Sequence, residues 1–170
     1  MYYIILFIIA FIAIFCLMSY NRMVKAYHQL KEGFSGVDVQ LKRRADLVPA
    51  LYDLADQQLS HDNRLLTELS SLQKQSIALQ GENSDNRQKI EKQLHQKTQE
   101  LFAILKDNNK DTQGYLSLQG EFMTLEDELQ MARRYYNGCV RDYNILLESF
   151  PNNLLAPYFG FTPSDYFEEE

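Results

Sequence analysis

Seventeen consecutive residues without a charge, a proline or a glycine, Tyr2 to Met18 (YYIILFIIAFIAIFCLM), limit what this chain can become. Ser19, Tyr20 and Asn21 extend the uncharged run to Arg22. As a helix rising about 1.5 Å per residue, such a run covers roughly 25–30 Å, the thickness of a bilayer's hydrocarbon core. Tyr2, Tyr3 and Tyr20 stand at its ends, where amphipathic rings settle at an interface. A secretory signal would carry a positive leading segment, a shorter apolar core and a small-x-small cleavage site. Met1, Tyr2 and Tyr3 bring no side-chain charge, and no Ala-x-Ala pattern lies near Cys16 or Ser19. A lipoprotein site would want small residues before its cysteine, whereas Phe15 precedes Cys16. No other stretch is apolar enough to surround this helix as a core. Residues 1–20 are therefore read as a retained anchor, with the lipid bilayer contacted through residues 2–20. Arg22, Lys25 and Lys31 follow the span, and only the terminal amine precedes it. That asymmetry favours the cytoplasmic side for the rest of the chain.

The remaining residues suffice for one domain. The net charge of −6 argues against a nucleic-acid binder, which needs a basic face to neutralise phosphates. Cys16 lies in the span and Cys139 on a predicted helix, which makes no disulfide framework. Hydrophobic residues recur at helical spacing throughout. Met23, Tyr27, Leu30, Phe34, Val37 and Leu41 form one stripe; Val48, Leu51, Ala55, Leu59, Leu66, Leu69 and Leu72 continue it. Gly33 and Gly36 mark a bend or a close helix contact. Pro49 removes a backbone donor and crowds the carbonyl of Ala45, so a kink is expected at 45–49, the alternative being a new helix capped by Asp46. Gly81 to Asp85 reads as a turn, and Asp107 to Gly114 (DNNKDTQG) as a connector. Ile90, Leu94, Leu101, Ile104 and Leu105 line the helix between them. Phe122, Leu125, Leu129, Ala132, Tyr136, Val140, Tyr143, Leu147 and Phe150 form the most regular stripe, which Pro151 stops. The fold class is all-α: an N-terminal transmembrane helix followed by an antiparallel four-helix bundle of long helices over 21–150, with an aromatic tail over 151–170.

Two stretches resemble the LemA family of bacterial membrane-anchored proteins. The first is VDVQLKRRADLVP, Val37 to Pro49. The second runs through Ala132-Arg133-Arg134-Tyr135-Tyr136-Asn137, Val140-Arg141-Asp142-Tyr143-Asn144, Phe150-Pro151, Gly160-Phe161 and Tyr166-Phe167-Glu168. Tyr20-Asn21 and Leu118-Gln119 ahead of Glu126 fit the same pattern. Ala50 and Tyr52 depart from it, and 73–115 is divergent. The resemblance implies a single-span anchor in a bacterial inner membrane carrying a four-helix bundle, and a family without a defined biochemical role. Some similar proteins look like lipoproteins, which would put the bundle on the other side of the membrane, so the side stays open.

The candidate contact residues are polar or aromatic groups beside these stripes. Asp38, Gln40 and Arg133 can fix helix register through buried hydrogen bonds. Lys42, Arg43 and Arg44 can form an ion-pair lattice, with Asp38 four residues before Lys42, Asp46 three after Arg43, and Arg44 reaching Glu126 or Glu128. A partner-docking surface is the alternative. Contact with anionic lipid would require the chain to fold back, since a straight helix carries these residues roughly 33 Å past Tyr20. Pro49, Tyr136, Asn137, Tyr143 and Asn144 complete the motif residues. In the tail, Tyr158, Phe159, Phe161, Tyr166 and Phe167 are too many aromatics to stand in water. They can fold onto their own bundle, onto a neighbouring subunit or onto the membrane interface.

No enzyme constellation emerges: His28 with Glu32 and His61 with Asp62 are isolated pairs, and His95 stands alone. There is no His-Glu-x-x-His, Cys-x-x-Cys, Glu-x-x-His, glycine-rich phosphate loop or Gly-x-Ser-x-Gly elbow. No catalytic residue, cofactor or metal is expected. The expected function is a non-enzymatic scaffold or adaptor acting on a protein partner or on copies of itself. The alternatives are an oligomeric membrane-shaping protein or an accessory subunit of an envelope enzyme.

Overall fold

A computed structural model gives the fold and describes residues 2–58, 64–107 and 112–167. Leu59, the His61–Asp62 pair, positions 108–111 of the predicted connector and Glu168, Glu169 and Glu170 lie outside the described residues. Among the described residues all regular structure is helical: α1 Tyr2–Gln58, α2 Arg64–Ala78, α3 Asp85–Asp107, α4 Thr112–Glu148 and α5 Asn152–Leu155, then a 3₁₀ turn Ala156–Phe159. They group into two compact units, one from Met1–Phe34 and Arg134–Tyr166, the other from Ser35–Arg133 and Phe167–Glu170.

The chain does not turn at 45–49. Pro49 lies inside α1, and the expected stripe from Val48 to Leu72 is instead shared between the end of α1 and α2. A proline cannot donate to the carbonyl four residues back, and that carbonyl is taken from outside the helix. Gln73 of α2 donates its Nε2 to Ala45 O at 2.9 Å. The predicted turn at Gly81 is present, with Gly81 at φ 83°, a backbone region that suits glycine. Ser84 Oγ then accepts the Arg87 backbone N–H at 3.3 Å and so caps α3.

In the second unit one apolar cluster draws on all four helical segments. It takes Val48, Leu51 and Leu54 from α1, Leu66 and Leu69 from α2, Leu94, Leu101 and Leu105 from α3, and Tyr115 and Phe122 from α4. Each fully buried leucine contributes roughly 1.5–3 kcal/mol. In the first unit the start of α1 lies against the end of α4. Phe34 meets Tyr136 (ring centroids 5.6 Å), Tyr27 meets Tyr143 (6.1 Å) and Ser19 meets Asn152, so the two segments run in opposite directions. Gly33 permits this approach: a Cβ there would stand 3.3 Å from Tyr136 Cα. Gly36, expected to share that role, faces open space. Met23, Leu30, Val140 and Leu147 are buried along the seam. Tyr2 to Met18 are exposed, apart from a half-buried Cys16.

Replacing Gln73 with Ala should cost about 1 kcal/mol by leaving the Ala45 carbonyl without its donor. In a Pro49→Ala background, where residue 49 regains an N–H, the same replacement should cost much less. A double-mutant cycle by denaturant unfolding reads this coupling, and strict additivity would refute it.

Candidate functional site

The charged residues of the second unit are organised around a buried ion pair. Arg44 of α1 and Glu91 of α3 have side chains 0% and 1% exposed, 2.8 Å apart from Nη2 to Oε2. The same Nη2 donates to the Glu91 carbonyl O at 3.0 Å, and Nη1 donates to Glu126 Oε1 of α4 at 3.3 Å. The second oxygen of Glu91 accepts Ser76 Oγ of α2 at 2.6 Å and lies 3.8 Å from Arg87 Nε. Arg87 is itself buried; its Nη2 pairs with Asp38 Oδ1, and its Nη1 donates to Glu82 O at 2.9 Å. Asp38 Oδ1 also accepts the Gly81 N–H at 3.1 Å. His95 Nδ1 stands 3.3 Å from Glu126 Oε1, with its ring stacked on Phe122.

Three carboxylates thus face two guanidinium groups and one imidazole. Desolvation of two buried ions costs several kcal/mol each and is offset only where each remaining lone pair and proton finds a partner. Here the Glu91 oxygens have theirs. Burial pushes the Glu126 carboxyl up, but the hydrogen bond from His95 and the positive charges of Arg44 and His95 outweigh it and hold the group below its ordinary value of 4.5. The free space beside the cluster, lined by Lys42, Ala45, Ser76, Ile77, Gln80 and Arg87, amounts to about 10 Å³. That is on the order of a single water. Such geometry ties one residue of each of the four helices to its neighbours. No group of three or more His, Cys, Asp or Glu residues able to hold a metal occurs among the described residues.

Several sequence expectations meet here. Arg44 reaches Glu126, and Arg43 pairs with Glu128 while donating to Gln40 Oε1 at 3.0 Å. Asp38 does not pair along the helix with Lys42 but turns to Arg87, because α3 offers a desolvated guanidinium where Lys42 is in water. Lys42, Asp46 and Pro49 are exposed. Ser76, Arg87 and Glu91 were not among the predicted site residues. Their signal was present: Arg87, Glu91, Leu94, Thr98, Leu101 and Leu105 step by four and three, so polar residues occupy positions of a core stripe.

The motif residues of α4 hold the tail to its own chain. In the first unit Tyr136 OH donates to Asp165 O at 3.0 Å. Asn144 makes a reciprocal pair with Ser164: its Nδ2 donates to Ser164 O and its Oδ1 accepts Ser164 N–H, each at 2.9 Å. Phe159 and Phe161 pack around Tyr20 at 5.0 and 6.0 Å between centroids, and Phe161 also meets Tyr27 at 6.3 Å. Tyr143 is buried and Asn137 half-buried. In the second unit Arg133 lies over the buried Phe167 ring at 5.3 Å. Of the five tail aromatics, Phe167 is buried and Phe161 half-buried, while Tyr158, Phe159 and Tyr166 remain exposed. Ser19 and Asn152, both buried, were not anticipated: Ser19 Oγ donates to Asn152 Oδ1, and Asn152 Nδ2 donates to Leu146 O at 3.0 Å.

The sequence model described as the LemA family matches residues 33–170, which include both motif stretches, the ion-pair cluster and the tail. No curated protein matches the chain.

Arg44→Met should destabilise the fold by about 3–5 kcal/mol, because Glu91 stays buried without its main counter-charge. Arg44→Met with Glu91→Met should recover most of that loss in denaturant unfolding. Glu126 makes a separate, pH-dependent contribution. Its folded-state value is depressed, so its stabilisation is complete above the unfolded value of 4.5 and is lost as pH falls through the folded one. The melting-point gap between the native chain and Glu126→Gln should therefore be widest near neutrality and close on acidification below that value. A gap that widens on acidification would reverse the assignment.

Proposed function

The chain belongs to the LemA family, and from that premise we propose that it is a single-pass membrane protein of a bacterial inner membrane. Its body is an antiparallel four-helix bundle that serves as a non-enzymatic scaffold or adaptor. The observation that carries this reading is the contrast along α1. From Tyr2 to Met18 the helix is apolar on every side and exposed, whereas from Met23 onward it buries one stripe in protein. A helix apolar all round and uncovered by protein fits lipid as its surroundings. Among the described residues, one helix is long and apolar enough to cross a membrane.

Exposed Arg22, Lys25 and Lys31 directly after the apolar run favour the cytoplasmic side for the bundle. The buried charges are engaged with one another, so recognition falls to outward groups, among them Lys42 and Asp46 on α1. A protein partner, or a second copy of the chain, is the occupant in this reading.

The full chain should stay in the pellet through an alkaline carbonate wash and be released by detergent. Protease should spare the bundle in intact spheroplasts and digest it in inverted vesicles. A photo-crosslinker at Lys42 should give a discrete adduct in membranes, and one at buried Leu94 none. Release by carbonate would remove the anchor, and equal adducts at both positions would remove the docking face.

A further inference from the structure

The uncharged segment Ser149 to Ser164 (SFPNNLLAPYFGFTPS) holds three large side chains that its packing does not use. Phe150 is 81% exposed, Leu154 57% and Tyr158 89%. Two contacts within the first unit fix the level of this segment along α1. Asn152 accepts from Ser19, and Phe159 packs edge-on against Tyr20 at 5.0 Å. Ser19 and Tyr20 are the residues with which the apolar run ends, before Arg22. A span beginning near Tyr2 reaches the hydrocarbon boundary after about 20 residues. The exposed Phe, Leu and Tyr therefore stand at the depth where aromatic rings partition into the headgroup region.

We propose that residues 150–159 form a lipid-facing collar, a second foothold that seats in the headgroup and upper acyl region around the emerging anchor, with Phe150, Leu154 and Tyr158 as the inserted groups. This rests on the reading of Tyr2–Met18 as a bilayer span. The absence of charge across the segment, its continuity with the exposed apolar surface of α1, and the cations Arg22 and Lys25 at the same end all suit a lipid surface. The buried Ser19–Asn152 hydrogen bond gives the collar its fixed seat: Ser19 lies at the margin of the span, where a lone hydroxyl would otherwise face lipid. The tail acts in both directions: Phe159 and Phe161 close on Tyr20, and the neighbouring apolar groups face outward.

The chain holds no tryptophan, so single replacements give clean fluorescent reporters. Tyr158→Trp and, as a second position, Phe150→Trp replace exposed side chains and leave the packing untouched. The full chain is reconstituted into phosphatidylcholine–phosphatidylglycerol vesicles carrying a lipid brominated high on its acyl chain. Phe11→Trp reports the span. Tyr166→Trp is the water-exposed reference, since the adjacent Asp165 contacts Tyr136 beside Phe34, roughly 20 Å along α1 from Tyr20. Emission from Tyr158→Trp and Phe150→Trp should move to shorter wavelength and be quenched by the brominated lipid, as for Phe11→Trp, while Tyr166→Trp answers to iodide alone. If Phe11→Trp is quenched and the two collar reporters behave like Tyr166→Trp, the collar is refuted and the anchor stands. Collar reporters shielded from iodide yet blind to brominated lipid would mean protein covers them, which overturns the lipid assignment. Failure of Phe11→Trp itself to quench would remove the span, and the collar with it.

Discussion

The pairing of Arg44 with Glu91 holds the second unit in register more than it supplies raw stability. Two ions taken out of water cost more than their attraction returns unless geometry and extra hydrogen bonds are both favourable. Here α1 contributes Arg44, α2 Ser76, α3 Arg87 and Glu91, and α4 Glu126, with contacts of 2.6 to 3.3 Å joining Ser76, Glu91, Arg44 and Glu126. Sliding any one helix by a turn would move its residue about 5.4 Å and leave a buried charge or hydroxyl unmatched. The leucines of the adjoining core tolerate such slips far better, since one apolar side chain fills another's place at modest cost. Uniqueness therefore comes from the polar residues, and bulk stability from the leucines around them.

The sequence disclosed these two contributions unequally. Helical stripes with steps of three and four are long and regular, so the all-α class and the residues of the core stand out without knowledge of any contact. Arg44 could be matched to Glu126 because each lies beside an apolar stripe. Glu91 was concealed by its own neighbourhood. Between Asp85 and Lys97 most residues are polar, and one more Glu among Gln, Lys and Arg looks solvated. Only the phase of the stripe betrays it, because Arg87 and Glu91 fall where Leu94 and Leu101 predict burial. A charge pattern read along one helix also pairs neighbours such as Asp38 and Lys42, whereas a desolvated guanidinium on another helix is the stronger partner for the same carboxylate.

Pro49 shows where local reasoning stops. Taken alone, it opens one hydrogen bond and crowds the carbonyl of Ala45, which suggests a kink within a helix in a region otherwise free of breakers. Whether a helix absorbs that loss depends on a donor from elsewhere, and Gln73 lies in a stretch whose sequence carries no recognisable motif. The glycines divide the same way. Gly33 is required by the approach of Tyr136, while Gly36, three residues on, is not. A glycine's presence in a helix records that a side chain is absent, and only the facing backbone says whether that absence matters.

The tail links the two kinds of surroundings that α1 meets. Between Met18 and Gly33 the helix contains neither glycine nor proline, so nothing in its backbone loosens the passage from the apolar run to the packed stripe. The change occurs over a few residues: Met18 is exposed, Ser19 is buried, and Met23 is fully enclosed. Ser19 is the weak point of that passage, a hydroxyl at the edge of an apolar run. Its partner Asn152 is held in turn by the Leu146 carbonyl and Ser149 Oγ, so the hydroxyl is met by an acceptor already fixed in place. A preset acceptor makes the bond cheaper in entropy than one recruited from a free side chain. Tyr20, still exposed on one side, is met by Phe159 and Phe161, rings that the Asn144–Ser164 pair keeps near α4. The segment after Pro151 thus buries the Ser19 hydroxyl and braces one side of Tyr20.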